Sequence, residues 1–246
     1  MIRLDDLENG NFIYQDTDGF LFGIDAVLLA HYPRLRKGDE VLDLCTGSGV
    51  VPLIMEAEAK KREIEVHFTG LELQEEAAGL AARSVRYNGL FDKIRILRGD
   101  VKEADRYLPA ASFSLVTVNP PYIKGGHGLI GSADQRNLAR HEIAMTLEDA
   151  VRAGARALRM RGRFTMVHRP GRLAEILPLL SRFQLEPKRL RLVHPGRDRE
   201  ANLLLVEAVK GGNPGLSVEP PLIVYGEDGS YTEELLALYG KKGGSL

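Results

Sequence analysis

The residues Asn119-Pro120-Pro121-Tyr122 directly follow an apolar run that is typical of a buried strand. The two prolines lack backbone N–H groups and stiffen the chain. The Asn119 side-chain oxygen and the Pro120 carbonyl are therefore left as hydrogen-bond acceptors beside the aromatic ring of Tyr122. An Asn-Pro-Pro sequence can also simply terminate a strand. We predict instead that these four residues are catalytic, because they follow three earlier strands that each end in an acid.

Those three acids are Asp43, Glu72 and Asp100. Because the carboxyl ends of parallel strands meet at one edge of a sheet, we expect the three carboxylates to lie near each other. An acid after the second strand can hold ribose hydroxyls, and one after the third can meet an adenine amino group. We predict that they bind a nucleoside-type cofactor together with their neighbours Leu73 and Val101 and with Asn119.

The turn after the first strand, Cys45-Thr46-Gly47-Ser48-Gly49, is rich in glycine and opens a helix, so a ligand can approach its backbone. Pro52 stands where a dinucleotide fold has its third glycine, and Asp43 would repel a pyrophosphate but attract an ammonium group. We therefore predict that Asp43, Cys45, Gly47 and Gly49 bind S-adenosylmethionine rather than NAD. Cys45 is the only cysteine, so it forms no intrachain disulfide or cysteine zinc cluster, and we expect no metal and no catalytic thiol.

Positive charge is concentrated in one part of the chain. The net charge is −1, yet residues 151–200 carry 13 Lys and Arg against 4 Asp and Glu, and 12 of the 13 are arginine. Arginine binds phosphates through a forked guanidinium, so the distribution favours RNA as a partner. The arginines in turns that hold Pro and Gly are the best candidates for RNA contact, namely Arg169, Arg172, Arg197 and Arg199, whereas we expect Arg152, Arg156, Arg159 and Arg163 to be helix-face and turn charges. Arg140 and His141 either contact RNA as well or only begin a helix.

Strand and helix patterns alternate from residue 40 onward. The predicted strands are Val41–Leu44, Val66–Leu71, Ile94–Leu97, Leu115–Val118, Phe164–Val167, Leu190–Val193 and Leu203–Val209, and the predicted helices are Val50–Arg62, Glu75–Asn88, Thr146–Met160 and Arg172–Phe183. Such alternation is typical of an α/β fold with a largely parallel sheet. The last two strands are joined by a segment too short for a helical crossover, so the last strand should be antiparallel.

Additions flank this sheet. We expect an N-terminal hairpin, with strands Asn11–Gln15 and Gly19–Phe22 around a turn at Asp16, followed by a helix capped by Asp25. The predicted organisation is an N-terminal hairpin and helix (1–39), an α/β domain that binds S-adenosylmethionine (40–210), and a linker with a C-terminal extension (211–246). No segment is apolar and long enough to span a bilayer, and the N-terminus lacks the pattern of a signal peptide, so we expect a cytoplasmic protein without membrane partners.

Taken together, these motifs resemble the bacterial tRNA(Val) adenine-N6 methyltransferase family, which has a Rossmann-like seven-stranded methyltransferase sheet and an Asn-Pro-Pro-Tyr motif. The resemblance covers nearly the whole chain: Leu21–Ala30, Asp43–Pro52, Ser84–Gly89, Asn119–Tyr122, Ala139–Glu142, Val167–Leu173, Val193–Asp198 and Val224–Asp228. Cys45 departs from it, because many relatives have the first glycine of the cofactor loop there. The family also places the segment around Asp25 near the methionine end of the cofactor.

The resemblance implies S-adenosylmethionine-dependent methylation of the exocyclic N6 of an adenine in tRNA, 3′ to the anticodon. The same motif can grip a glutamine amide, so a protein glutamine methyltransferase is the alternative, and a catalytically inactive RNA-binding relative is a third possibility. The positively charged segment 151–200, which we call the basic block, favours RNA over a glutamine-bearing loop. Neither the tRNA identity nor the oligomeric state follows from the sequence.

Overall fold

The computed structural model describes residues 1–19, 21–121 and 145–240. The chain begins with an antiparallel hairpin formed by β1 (Ile2–Asp6) and β2 (Phe12–Asp16). A hairpin is predicted at this end with β2 as one strand, and that much is confirmed. The predicted turn at Asp16 is present, since the backbone N–H of Gly19 donates to the carbonyl of Asp16 at 3.1 Å. The predicted partner strand Gly19–Phe22 is wrong, so this turn does not close the hairpin.

The turn that closes the hairpin precedes β2, where the backbone N–H of Leu7 donates to the carbonyl of Asn11 at 3.0 Å. Gly10 takes a φ of +95° within it, which glycine adopts without strain. The first strand escapes prediction because Asp5 and Asp6 interrupt its apolar residues. Only its pairing with β2 makes this polar segment a strand.

Seven strands form the central sheet in the spatial order β5-β4-β3-β6-β7-β9-β8. Their bounds are β3 Asp39–Leu44, β4 Val66–Glu72, β5 Ile94–Arg98, β6 Phe113–Val118, β7 Leu158–His168, β8 Leu185–His194 and β9 Leu203–Lys210. Strands β3 to β7 pair in parallel, whereas β9 is antiparallel to both of its neighbours. The predicted α/β class, the seven strands and the antiparallel last strand are confirmed.

Helices cover both faces of this sheet. Their bounds are α1 Ile24–His31, α2 Val50–Lys61, α3 Glu75–Tyr87, α4 Leu147–Ala157 and α5 Leu173–Arg182. Buried side chains of α1 and α2 form one apolar cluster, and those of α4 and α5 form another on the opposite face. The helix predicted to extend to Met160 ends at Ala157, since the backbone of Leu158 is already extended and begins β7. The predicted cap of α1 is also wrong: Gly23 is the N-cap, and Asp25 lies in the first turn.

One cation of the basic block is part of the core. Arg163 lies in β7, is 4% exposed, and places its guanidinium 2.7 Å from the carboxylate of Asp39 in β3. It also donates to the carbonyl of Arg34. The expectation that Arg163 is a turn charge is therefore wrong. This member of the basic block is therefore part of the packed interior, where it is paired with Asp39 because a buried charge requires a partner.

The C-terminal segment packs onto the far edge of the sheet. Two short strands, β10 (Ser217–Val218) and β11 (Leu222–Ile223), pair in parallel with β8. A final helix, α6 (Glu233–Leu238), buries Leu235 against the cluster that contains α1. The division at residues 39/40 and 210/211 stays a prediction.

The parallel order fixes where the functional loops lie. Because β3, β4, β5 and β6 run in the same direction, the segments that follow them meet at one edge, which we call the carboxyl edge. Strand β8 runs in the same direction as β7, since both are antiparallel to β9, so its end also lies at this edge. Within the described ranges, no helix combines the length and the apolar character needed to span a bilayer.

Candidate active site

The loop after β3 is shaped by residues in left-handed backbone conformations. Gly47 has a φ of +56° and Gly49, the N-cap of α2, has a φ of +85°. The space beside Gly47 is open, since a Cβ built there would meet nothing within 4 Å. A ligand can therefore approach this backbone closely, as the sequence predicts.

Cys45 has a φ of +60°, a conformation that favours glycine. This conformation agrees with the glycine that the family resemblance implies at this position. Burial raises the pKa of the Cys45 thiol well above its usual range, and Sγ lies 3.6 Å from Sδ of Met145. A buried thiol that stays protonated is a poor nucleophile, so the role of Cys45 is to shape the backbone of the loop.

Asp43, at the end of β3, is 2% exposed. Its Oδ1 accepts a hydrogen bond of 2.7 Å from the hydroxyl of Thr117, the residue directly opposite it in β6. Its Oδ2 forms no hydrogen bond of normal geometry among the described residues, although the nearby Thr46 hydroxyl also favours the ionised carboxylate. Burial raises the pKa of Asp43 to about 7, even though the Thr117 hydroxyl acts in the other direction. A cationic ligand group would stabilise the ionised form, so the site fits the ammonium group predicted for it.

Glu72, at the end of β4, joins two loops. Its Oε2 accepts from the backbone N–H of Gly47 at 2.9 Å, and its Oε1 accepts from that of Gln74 at the same distance. The carboxylate is thereby fixed beside the glycine turn, and each oxygen retains a lone pair for a ligand hydroxyl. The next residue, Leu73, is 42% exposed, which is unusual for a leucine at a strand end and offers an apolar surface at the same edge.

Asp100 follows β5 and caps the short 3-10 helix Val101–Arg106 by accepting from the backbone N–H of Lys102 at 2.9 Å. The side chain of Val101 is buried. Asp100 therefore has a structural partner as well as its predicted role at an adenine amino group. The carboxylates of Asp43, Glu72 and Asp100 follow three adjacent strands, as predicted, and together with the open turn at Gly47 they fit a nucleoside bearing an amino-acid moiety.

Asn119 lies beyond the end of β6, and its amide is held in one orientation. The side-chain Nδ2 donates to Oδ2 of Asp25 in α1 at 3.1 Å. The Asn119 Oδ1 is buried and has no hydrogen-bond partner among the described residues. Because an unsatisfied buried acceptor is costly, this oxygen is suited to receive a donor from a ligand. Pro120 and Pro121 follow as predicted, while Tyr122 lies outside the described residues.

The predicted RNA-binding arginines divide into two groups. Arg169 donates to the carbonyl of Asn202 at 2.9 Å, and Arg172 forms a bidentate pair with Glu175, so both have partners within the chain. Arg197 and Arg199 are exposed in the loop between β8 and β9, at the carboxyl edge. Arg140 and His141 lie outside the described residues.

Two contributors to this edge escape the sequence analysis. Thr117 is concealed in an apolar strand, and only its register opposite Asp43 gives it a role. Asp25 is predicted as a helix cap or a cofactor neighbour, whereas its described partner is the Asn119 amide. The described residues contain no group of three or more His, Cys, Asp or Glu side chains that could hold a metal ion.

Comparison with known proteins agrees with this geometry. The family model described as the methyltransferase small domain matches residues 23–182. A relative from Tolumonas auensis, named tRNA1(Val) (adenine(37)-N6)-methyltransferase, is 26% identical over 226 residues, which cover 92% of this chain and 91% of the relative. A relative of the same name from Mannheimia succiniciproducens is 28% identical over 233 residues, covering 92% and 88%.

A solved structure from Agrobacterium tumefaciens, described as a predicted O-methyltransferase, superposes with a TM-score of 0.70 at 25% identity and covers 88% of this chain and 95% of its own. The family match includes α1, the loop after β3 and the Asn119 segment, which are the elements that build the carboxyl edge. The chain therefore belongs to the methyltransferase small-domain family and is an S-adenosylmethionine-dependent methyltransferase.

Proposed function

We propose that this chain methylates the exocyclic N6 of an adenine in tRNA, at the position 3′ to the anticodon. The observation that carries the proposal is the Asn119 amide, whose Nδ2 is bound by Asp25 and whose buried Oδ1 has no partner among the described residues. An acceptor in that state suits an N–H donor such as an aromatic amino group.

Asn119 and Pro120 act on the nitrogen that is methylated. The lone pair of an adenine amino group is delocalised into the ring, which makes the nitrogen a poor nucleophile. If the Asn119 Oδ1 and the Pro120 carbonyl accept its two hydrogens, the nitrogen becomes more pyramidal and its lone pair localises. Both contacts strengthen as positive charge develops on the nitrogen, so they stabilise the transition state more than the ground state. Tyr122 is proposed to stack on the base.

The cofactor residues hold the donor in place. S-adenosylmethionine, when bound, supplies an electrophilic methyl group. We assign its ammonium to Asp43, its ribose hydroxyls to Glu72 and its adenine to Asp100 with Leu73 and Val101. The turn containing Cys45, Gly47 and Gly49 gives the cofactor close access to the backbone.

Two observations favour tRNA as the acceptor. Relatives of the same length are named for adenine 37 of tRNA1(Val). Arg197 and Arg199 are exposed at the carboxyl edge, where phosphates beside the target base would lie. A tRNA substrate would also place the protein in the cytoplasm.

The proposal is tested by incubating the protein with isotopically labelled S-adenosylmethionine and either total tRNA or a total protein extract, followed by mass spectrometry of the nucleosides and of the peptides. We expect label in N6-methyladenosine. Label in glutamine of a protein fraction, with none in nucleosides, would instead establish the amide methyltransferase.

Replacing Arg197 and Arg199 together with alanine should weaken tRNA binding and reduce its dependence on salt. Each lost phosphate contact lowers the slope of log affinity against log salt by about 0.7 to 0.9. The matched control replaces Arg159 and Arg161, which are exposed at the start of β7 on the opposite edge. Affinities measured at several salt concentrations should show a smaller slope for the first pair only. An equal effect of both pairs would assign the slope to net charge.

Asp25 is proposed as a positioning residue that acts through Asn119. The variant Asp25→Ala should lower kcat about tenfold, because the amide is then free to rotate, whereas Asp25→Asn retains an acceptor oxygen and should recover much of the rate. In an Asn119→Ala background, Asp25→Ala should cause little further loss, since residues that act as a unit are not additive. Additive losses with weaker cofactor binding would show that Asp25 acts on the cofactor.

A further inference from the structure

Three tyrosines near the end of the chain stack in a row. The rings of Tyr225 and Tyr231 have centroids 5.2 Å apart at an interplanar angle of 24°. The rings of Tyr231 and Tyr239 are 6.3 Å apart and nearly parallel, at 5°. Two of the three remain exposed, Tyr225 at one end of the row by 43% and Tyr231 in the middle by 42%. These two rings do not fill the apolar core, because they are exposed; in the same segment it is Leu235 that is buried.

The row is held rigidly. The backbone N–H of Thr232 donates to the carbonyl of Val224 at 3.0 Å, and that of Gly226 donates to Ser230 at 2.8 Å. These bonds close a tight turn whose arms carry Tyr225 and Tyr231. A preformed pair of rings loses little conformational entropy when a planar ligand stacks on it.

One end of the row lies at the carboxyl edge, and the other packs toward α1. At one end, the backbone N–H of Tyr225 donates to the carbonyl of Pro195 at 2.9 Å, directly beyond the end of β8 and next to the loop that exposes Arg197. At the other end, Tyr239 follows α6, which packs on α1, the helix of Asp25. Burial, together with the charges of Tyr231 and Asp25, raises the pKa of Tyr239 to about 12. The row thus extends from the loop of the exposed arginines toward α1, the helix that carries Asp25.

We propose that Tyr225, with Tyr231 stacked behind it, forms a platform on which an unpaired RNA base next to the methylated adenine stacks. The proposal rests on the proposed function and names a contact for the same substrate. A base to be methylated must leave its stack, so its neighbours lose a stacking partner, and aromatic side chains can replace it.

The charges around the platform favour a base over a phosphate at the rings. Glu227 and Asp228 lie in the turn between the two tyrosines, and Asp228 accepts from the Ser230 backbone and hydroxyl. These acids repel phosphates from the rings, whereas Arg197 and Arg199 on the adjoining loop can bind them. This arrangement is typical of single-strand recognition, in which cations follow the backbone while aromatic rings take the bases.

The test uses the full chain and an anticodon stem-loop RNA with 2-aminopurine beside the target adenine. The chain contains no tryptophan, so the fluorescence of the probe can be excited without an indole background. We expect the wild type to quench the probe. Tyr231→Leu and Tyr225→Leu should each weaken quenching and lower kcat/KM by about tenfold, while Tyr231→Phe retains both.

The control is Tyr87→Leu. Tyr87 is 53% exposed but lies at the end of α3, where Phe12 and Tyr14 meet its ring edge-on, away from the carboxyl edge. Far-ultraviolet circular dichroism and cofactor affinity check that each variant is folded. Variants that methylate and quench like the wild type would overturn the platform while leaving the proposed function intact. Quenching that depends on the tyrosines in a protein that methylates no RNA adenine would support the platform and overturn the proposed function.

Discussion

Replacing Asn119 with alanine should slow methyl transfer by about a hundredfold or more while leaving the affinity for S-adenosylmethionine near its wild-type value. The variant removes one of the two acceptors proposed to hold the adenine amino group. A preorganised hydrogen bond of this kind is worth about 3 kcal/mol in the transition state. Single-turnover rates on the RNA substrate, together with calorimetric titration of the cofactor, measure the two effects separately.

The control for this experiment is Asn213→Ala, at an exposed asparagine beyond the end of β9. It should leave the rate unchanged. If Asn119→Ala also retained nearly full turnover, Asn119 would only terminate β6, and the acceptor for the amino group would have to be sought elsewhere.

The second large effect is expected at Asp43, where function and stability oppose each other. Asp43→Asn should weaken cofactor binding strongly, since it removes the charge proposed to attract the ammonium group. The same variant should change how folding depends on pH. The pKa of Asp43 is raised in the folded state to about 7, well above its value in an unfolded chain, so ionisation of Asp43 destabilises the fold without ligand.

The sign follows from this shift. A carboxyl whose pKa is raised by folding contributes stability that is lost as the pH rises through its folded pKa. Without cofactor, the wild type should therefore lose on the order of 2–3 kcal/mol relative to Asp43→Asn between pH 5 and pH 8. Urea unfolding of both proteins at these two pH values measures the difference. Parallel pH profiles of the two proteins would show that folding does not raise the pKa of Asp43.

The central sheet was accessible from sequence because burial on both faces gives short apolar runs. The cores of β3, β4, β5 and β6 are predicted within two residues at each end. The longer strands are predicted only in part, since β7 begins among exposed arginines and β8 contains Pro187 at a register shift. Pairing with other strands, which composition does not reveal, extends both: Leu158 of β7 pairs with Phe113 of β6, and the start of β8 pairs with β9.

The proposed cofactor residues were accessible from sequence because three adjacent parallel strands each end in a carboxylate. The hydrogen-bond partners that other strands and helices supply to these residues could not be predicted. Thr117 matters only through its register with Asp43, and the bond between Asp25 and Asn119 joins residues far apart in the chain. The same limit applies to charge: Arg163 counts toward the basic block, yet it is buried against Asp39. Composition reports how many cations a segment has, whereas their partners depend on the tertiary fold.

Cys45 illustrates the opposite case. The sequence marks it only as a departure from a glycine found in many relatives, and its left-handed backbone explains that glycine. A non-glycine residue in this conformation carries some strain, which burial of the side chain beside Met145 helps to offset. The loop therefore keeps its shape without the glycine.

The central claim is that an exocyclic amino nitrogen of adenine is the group that Asn119 and Pro120 hold during methyl transfer. The most direct test is transfer of labelled methyl from S-adenosylmethionine to two anticodon stem-loop RNAs that differ only at the target base, adenosine in one and inosine in the other. Inosine carries an oxygen in place of the amino group. We predict labelled N6-methyladenosine in the first RNA and no label in the second. Equal labelling of both RNAs, or labelling of neither by a folded protein that binds the cofactor, would contradict the claim.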